Sequence, residues 1–214
     1  MLSVFSSDDH PDTLEGYPYP YRVEAAYRLD ATGLRLDTTV TNTGTGPMPF
    51  GYGVHPYFRI PFTDAGKRGS CRVFVPAASR WNMSVIGDLK SRSELTDDEM
   101  FAPVERGLDY RAGVPLGERQ LDDVLTDMPD THGWTECSVV DPVARLAAAM
   151  RATRNFPTSV LYTPPNRPGL CFEPWTCPPD AFNLEARGVK RSGVIVLAPG
   201  RQWNGAMHLS VRKA

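Results

Sequence analysis

Cysteine and histidine are scarce in this chain, four of each in 214 residues. Cys71, Cys137, Cys171 and Cys177 form no Cys-x-x-Cys pair and no cluster with histidine at zinc spacing. That pattern excludes the common structural zinc folds and a disulfide framework, and it reads as free thiols in a reducing, cytoplasmic setting. Excess charge is missing too: a net charge of −2 gives no reason to invoke nucleic acid or an anionic membrane surface. No run approaches about 18 apolar residues, so no membrane span is expected. The opening MLSVFSSDDHPD lacks a basic stretch followed by an apolar one, so no standard export signal is expected either. Heptads and fixed-period repeats are absent, which excludes coiled coils and solenoids.

What the chain does have is turn chemistry between alternating strands. Eighteen glycines and 20 prolines punctuate a composition that is 41% hydrophobic and 22% charged, ordinary for a globular domain. Tyr21, Val23, Ala25, Tyr27 and Leu29 alternate with polar residues, Ala26 being the one small exception, the mark of a half-buried strand with those five on the inner face. Asp30-Ala-Thr-Gly33 supplies a hairpin turn, and Leu34, Leu36, Thr38 and Val40 continue the alternation beyond it. Residues 47–60, PMPFGYGVHPYFRI, read as one aromatic and glycine-rich strand ending in an HPYF corner. Further strands are expected at Cys71 to Val75, Leu121 to Thr126, Trp134 to Val140 and Ala144 to Thr153. Ser93 to Glu99 allows one helical turn. Val194 to Leu197 and Trp203 to Val211 read as a closing hairpin around Pro199-Gly200. No linker interrupts the pattern, so residues 1–214 are expected to form one all-β sandwich.

The densest chemistry lies between Tyr162 and Asn183. Two proline clusters flank a short apolar strand, Gly169 to Phe172, which is expected to end on Glu173. A carboxylate, an indole (Trp175) and amides gathered on so stiff a frame suit a sugar. Opening a cyclic hemiacetal needs a base for the anomeric proton and an acid for the ring oxygen, with no metal or cofactor. Glu173 is the candidate base, and His55, constrained by Pro56, is the candidate acid or base around neutrality. The bland alternatives are a glutamate paired with Arg167 and a histidine satisfied at a strand corner. Asp122 and Asp123 are adjacent, so in a strand only one of them faces a cleft shared with His55 and Glu173. Trp175 is placed to stack on a sugar face, or simply to pack.

The ordered segments GYGVHPYF (51–58), LDDVLTD (121–127) and LCFEPWTCPPDAFN (170–183), with the closing GVIVLAPGRQW, resemble the aldose 1-epimerase (galactose mutarotase) family. The resemblance implies an antiparallel supersandwich and interconversion of the α and β anomers of a free hexose. It assigns the general acid to His55, the general base to Glu173 and the holding of sugar hydroxyls to Asp122. Asp123 matches less well, since the family often has a histidine there. Family members are typically longer, with an N-terminal region that supplies an arginine and another histidine to the sugar. This chain therefore reads as the C-terminal two thirds of the fold, with open sheet edges suited to self-association. The alternatives are a non-catalytic carbohydrate-binding sandwich, a phosphosugar epimerase, and a two-carboxylate glycosidase built on Glu173 and Asp122.

Overall fold

The computed structural model describes residues 1–88, 96–105, 107 and 109–214. The chain opens with β1 (Leu2–Ser6), a 3-10 turn at Pro11–Glu15, and the long hairpin of β2 (Tyr21–Asp30) and β3 (Gly33–Asn42). Short strands β4 (Met48–Phe50), β5 (Tyr57–Arg59), β6 (Arg72–Phe74) and β7 (Ser79–Trp81) follow. Two single-turn helices, α1 (Met83–Ile86) and α2 (Asp97–Met100), precede β8 (Phe101–Pro103), β9 (Val114–Pro115) and β10 (Asp122–Thr126). Next come β11 (Trp134–Asp141), β12 (Leu146–Thr153), β13 (Thr158–Tyr162) and β14 (Gly169–Trp175). Helix α3 (Ala181–Ala186) separates them from β15 (Ile195–Leu197) and β16 (Gln202–Lys213).

These strands form an eight-stranded sheet, β1-β2-β3-β16-β12-β11-β6-β9, and a six-stranded sheet, β5-β14-β13-β10-β7-β8. The pairings are antiparallel, as the expected all-β sandwich requires. Cys137, Val139, Ala148, Met150 and Met207 of the larger sheet meet Phe58, Leu125, Leu161, Leu170 and Phe172 of the smaller one in the main core. The β2–β3 hairpin forms as its alternation predicts, with Gly33 at φ 139° closing a turn through Ala31 and Thr32. β12 is a strand despite its run of alanines, because it is paired on both sides, by β11 and β16.

Four expectations are corrected. Residues 47–60 are not one strand: β4 pairs with β15, β5 pairs with β14, and Pro56 interrupts the stretch between them by lacking a donor. The closing segments do not form a hairpin, since β15 pairs with β4 whereas β16 lies between β3 and β12. Leu29 does not face a core but is 77% exposed, at the far end of the β2–β3 hairpin. Glu173 lies within β14 rather than at its end. Of the helical turn expected at Ser93 to Glu99, α2 covers the last part, and residues 93–95 lie outside the described residues.

Candidate active site

The outer face of the six-stranded sheet carries the chemistry, and the strand register shows why. Directly paired residues of antiparallel strands point to the same side. Asp122 faces Tyr162, Tyr162 faces Cys171, and Cys171 faces Tyr57. One step along, Val124 faces Val160 and Val160 faces Glu173. All of these therefore share one face, while Leu125, Leu161 and Phe172 point back into the main core.

That face is divided in two. Val124 and Val160 are covered by a second apolar cluster that includes Trp81, Val85, Ile86, Leu184 and Val189, much of it from α1 and α3. Tyr162 and Trp175 pack against its margin. On the other half His55 and Tyr57 are exposed, Glu173 is buried, and Phe182 of α3 comes up to His55 across a cavity. The short helices thus wall the site on one side, although no periodic pattern in the sequence announces them.

Residues 51–56 run on from β5 along β14 in the same register. Tyr57 faces Cys171 and Gly53 bridges Trp175, so His55 stands opposite Glu173. The Val54 N–H donates to the Pro174 carbonyl at 3.4 Å, and the Thr176 N–H donates to the Tyr52 carbonyl at 2.9 Å. Pro56 and Pro174 can return no such bonds, so the ladder stays incomplete. His55 and Glu173 consequently occupy a non-hydrogen-bonded position, where opposed Cα atoms come within about 4.5 Å and side chains approach closest.

The result is direct contact. His55 Nε2 lies 3.0 Å from Glu173 Oε1, with the imidazole 46% and the carboxylate 2% exposed. Burial, and secondarily the charge of Asp122, push the Glu173 carboxyl up to about 7. A carboxyl so placed is a competent proton acceptor and donor near neutrality. Tyr57 stacks on the imidazole at 4.8 Å between centroids, and Tyr162 meets it edge-on at 5.8 Å. Arg167 does not pair with Glu173; its guanidinium lies over the Tyr57 ring at 4.1 Å. Tyr57 and Tyr162 were not picked out beforehand, yet Tyr57 is two residues from His55, which in extended chain puts both on one face.

Asp122, not Asp123, is on the Glu173 face, two strands away at about 10 Å by sheet spacing. Asp123 points toward the opposite side, where burial raises its carboxyl. Trp175 lies two residues beyond Glu173, its ring against Gly53. With His55, Phe182 and the Tyr21, Val40 and Phe50 side chains it lines an aromatic cavity of about 620 Å³. His55 stands between that cavity and the Glu173 carboxylate, which is not on the cavity wall.

An antiparallel sandwich that sets a half-exposed imidazole against a buried carboxylate has the makings of an acid–base site for a small polar ligand. The chain matches the aldose 1-epimerase family model over residues 2–210, and it belongs to that family. It is 27% identical over 202 residues to the uncharacterised Escherichia coli (strain K12) protein YphB, covering 90% of this chain and 61% of YphB. A galactose mutarotase-like protein from Clostridium acetobutylicum superimposes with a TM-score of 0.81 at 20% identity, over 100% of this chain and 62% of that one. The Slr1438 protein from Synechocystis sp. PCC 6803 gives 0.75 at 21% identity, over 100% and 61%. The chain thus spans about three fifths of the length of these relatives. Among the described residues no helix is long and apolar enough to cross a membrane.

Proposed function

We propose that this chain carries the acid–base pair of an aldose 1-epimerase acting on a free hexose, with Glu173 as base and His55 as acid. The observation that supports it most is the 3.0 Å contact between His55 Nε2 and a Glu173 carboxyl raised to about 7. A hexose entering from the exposed side of His55 would slip its anomeric end between the two groups. Glu173 takes the anomeric hydroxyl proton as the C1–O5 bond breaks, and His55 delivers a proton to O5. The open-chain aldehyde turns about C1–C2. Ring closure on the other face returns one proton to His55 from O5 and one from Glu173 to O1, so neither group is changed. Asp122 holds sugar hydroxyls from across the sheet, and Trp175 offers an apolar face to the ring.

Polarimetry on freshly dissolved α-D-glucose and α-D-galactose tests this, with the chain compared to a form extended upstream from its genomic reading frame. Faster decay of rotation is the expected result. No acceleration by either form would overturn the reading. A second reading, a sugar-binding sandwich without catalysis, is favoured by the burial of the Glu173 carboxylate away from the cavity wall. Sugar binding without acceleration by either form is its signature. Arg167, poised over Tyr57, makes hexose 6-phosphates worth including in the same assay.

A further inference from the structure

His55 and Glu173 have a third neighbour that ring opening does not use. Cys171 precedes Glu173 by two residues on β14, so both side chains leave the same face, and His55 comes from the adjacent segment. One donor atom from each, a ring nitrogen, a thiol sulfur and a carboxylate oxygen, lie within 4.8 Å of one another. We propose that these three residues bind a thiophilic divalent cation of the zinc type, and that its occupancy shuts the acid–base pair off.

The donor set selects the ion. Sulfur and imidazole nitrogen disfavour magnesium and calcium, which take oxygen ligands, and suit zinc or cobalt. Tetrahedral bond lengths of about 2.0–2.3 Å require donors roughly 3.5 Å apart. His55 Nε2 and Glu173 Oε1 at 3.0 Å must part by about 0.5 Å, and the sulfur must move in by about 1 Å. Two of the ligands come from one rigid strand and the third from the segment pinned beside it, which holds their directions together. The exposed side of His55 gives the ion a way in and leaves a fourth position for water. On binding, the Cys171 thiol and the proton-bridged His55–Glu173 pair each release a proton to solvent, and the sulfur's electron pair goes to the metal. His55 Nε2 and the carboxylate oxygen donate theirs as well, so neither is free to move a proton. That consequence rests on the ring-opening reading, whereas the coordination itself does not.

Cobalt(II) titrated into the full chain under reducing conditions is the test. One equivalent is expected to produce a thiolate-to-cobalt charge-transfer band and the intense visible bands of a four-coordinate ion. Zinc is expected to displace it. Cys171→Ser should abolish the charge-transfer band and weaken zinc binding at least tenfold, while Cys177→Ser should leave both unchanged. His55→Asn, a substitution at a half-exposed position, should also weaken binding tenfold or more, so the proposal does not depend on the Cys171 variant folding. A spectrum like that of hydrated cobalt, or a band that survives Cys171→Ser, overturns the site. Zinc should also slow mutarotation by the wild type but not by Cys171→Ser. A cobalt band in a chain with no mutarotation would uphold the metal site and reject ring opening.

Discussion

His55 stands directly opposite Glu173 across a ladder that Pro56 and Pro174 keep from closing. Each proline removes one backbone donor from the ladder that would make residues 51–57 an ordinary strand, yet the register stays intact. The histidine–glutamate pair is therefore positioned by sheet geometry, with the imidazole half exposed and the carboxylate buried behind it. Tyr57 and Tyr162 then brace the imidazole on two sides.

Glu173→Gln keeps the shape of the side chain and removes its basicity. The mutarotation rate is expected to fall by about 10²–10⁴-fold, and near-wild-type decay of rotation would remove Glu173 as base. Stability should move the other way. Because the folded carboxyl is raised to about 7, the native state holds its proton more tightly than the unfolded chain. Wild-type stability is then lost as pH rises from about 4.5 through 7, by roughly 3 kcal/mol at most. The glutamine variant lacks that loss, so urea unfolding at pH 5 and pH 8 should show a smaller difference for it.

His55→Asn removes the acid at a site whose side chain is half exposed, so unfolding free energy should change by less than about 1 kcal/mol. Its mutarotation rate should drop about 10²-fold or more. The residual rate should depend on pH only through the Glu173 carboxyl, which is raised to about 7. An unchanged profile would separate His55 from the proton transfer.

Much of this was legible in the chain and some was not, for physical reasons. The β2–β3 hairpin announced itself through strict alternation and a glycine-closed turn. His55 and Glu173 stood out in proline-framed motifs, and the side-to-side rule of a strand allowed only one of Asp122 and Asp123 on their face, the family resemblance pointing to Asp122. The pairing of β15 with β4 was hidden, because local pattern does not encode a partner about 150 residues away. Glu173 was placed at a strand end because proline usually stops strands, whereas Pro174 sits where β14 borders the interrupted ladder. The second apolar cluster was invisible for another reason. β13 is buried on both faces through Ser159, Val160 and Leu161, so it shows no alternation to read.

Asp122→Asn tests the longer-range coupling. Its charge helps to raise the Glu173 carboxyl, so removing it should lower that value. The acid limb of the rate profile should then move to lower pH by about half a unit, as expected for a screened charge about 10 Å away. If Asp122 also holds sugar hydroxyls, KM should rise while kcat changes little. An acid limb that does not move would show that the two carboxylates are uncoupled.

Gly53 has no room for a side chain: a Cβ there would lie 2.3 Å from Trp175 Cδ1. Gly53→Ala should therefore displace the indole and cost about 1–3 kcal/mol. It should also slow mutarotation, since the same backbone carries His55 two residues on. A double-mutant cycle checks the cause. In a Trp175→Ala background the cost of Gly53→Ala should largely vanish, and an undiminished cost would mean that backbone freedom, not the clash, selects glycine.

Asp141 ties the β11–β12 turn to the loop after β5. Its fully buried carboxylate accepts the N–H groups of Phe62 at 2.8 Å, Val143 at 2.9 Å and Ala144 at 3.1 Å. Burial pushes its carboxyl up, but the three backbone donors outweigh that and hold it below the usual value. A depressed carboxyl stabilises the fold above the unfolded-state value of about 3.9 and loses that contribution as pH falls through the lower folded value. Asp141→Asn turns one acceptor into a donor facing donors, and should cost about 3 kcal/mol at pH 7. The gap between wild type and variant should then narrow steadily below pH of about 4, measured by urea unfolding. A gap that stays constant into acid would mean that the shape of the side chain, rather than its charge, holds the turn.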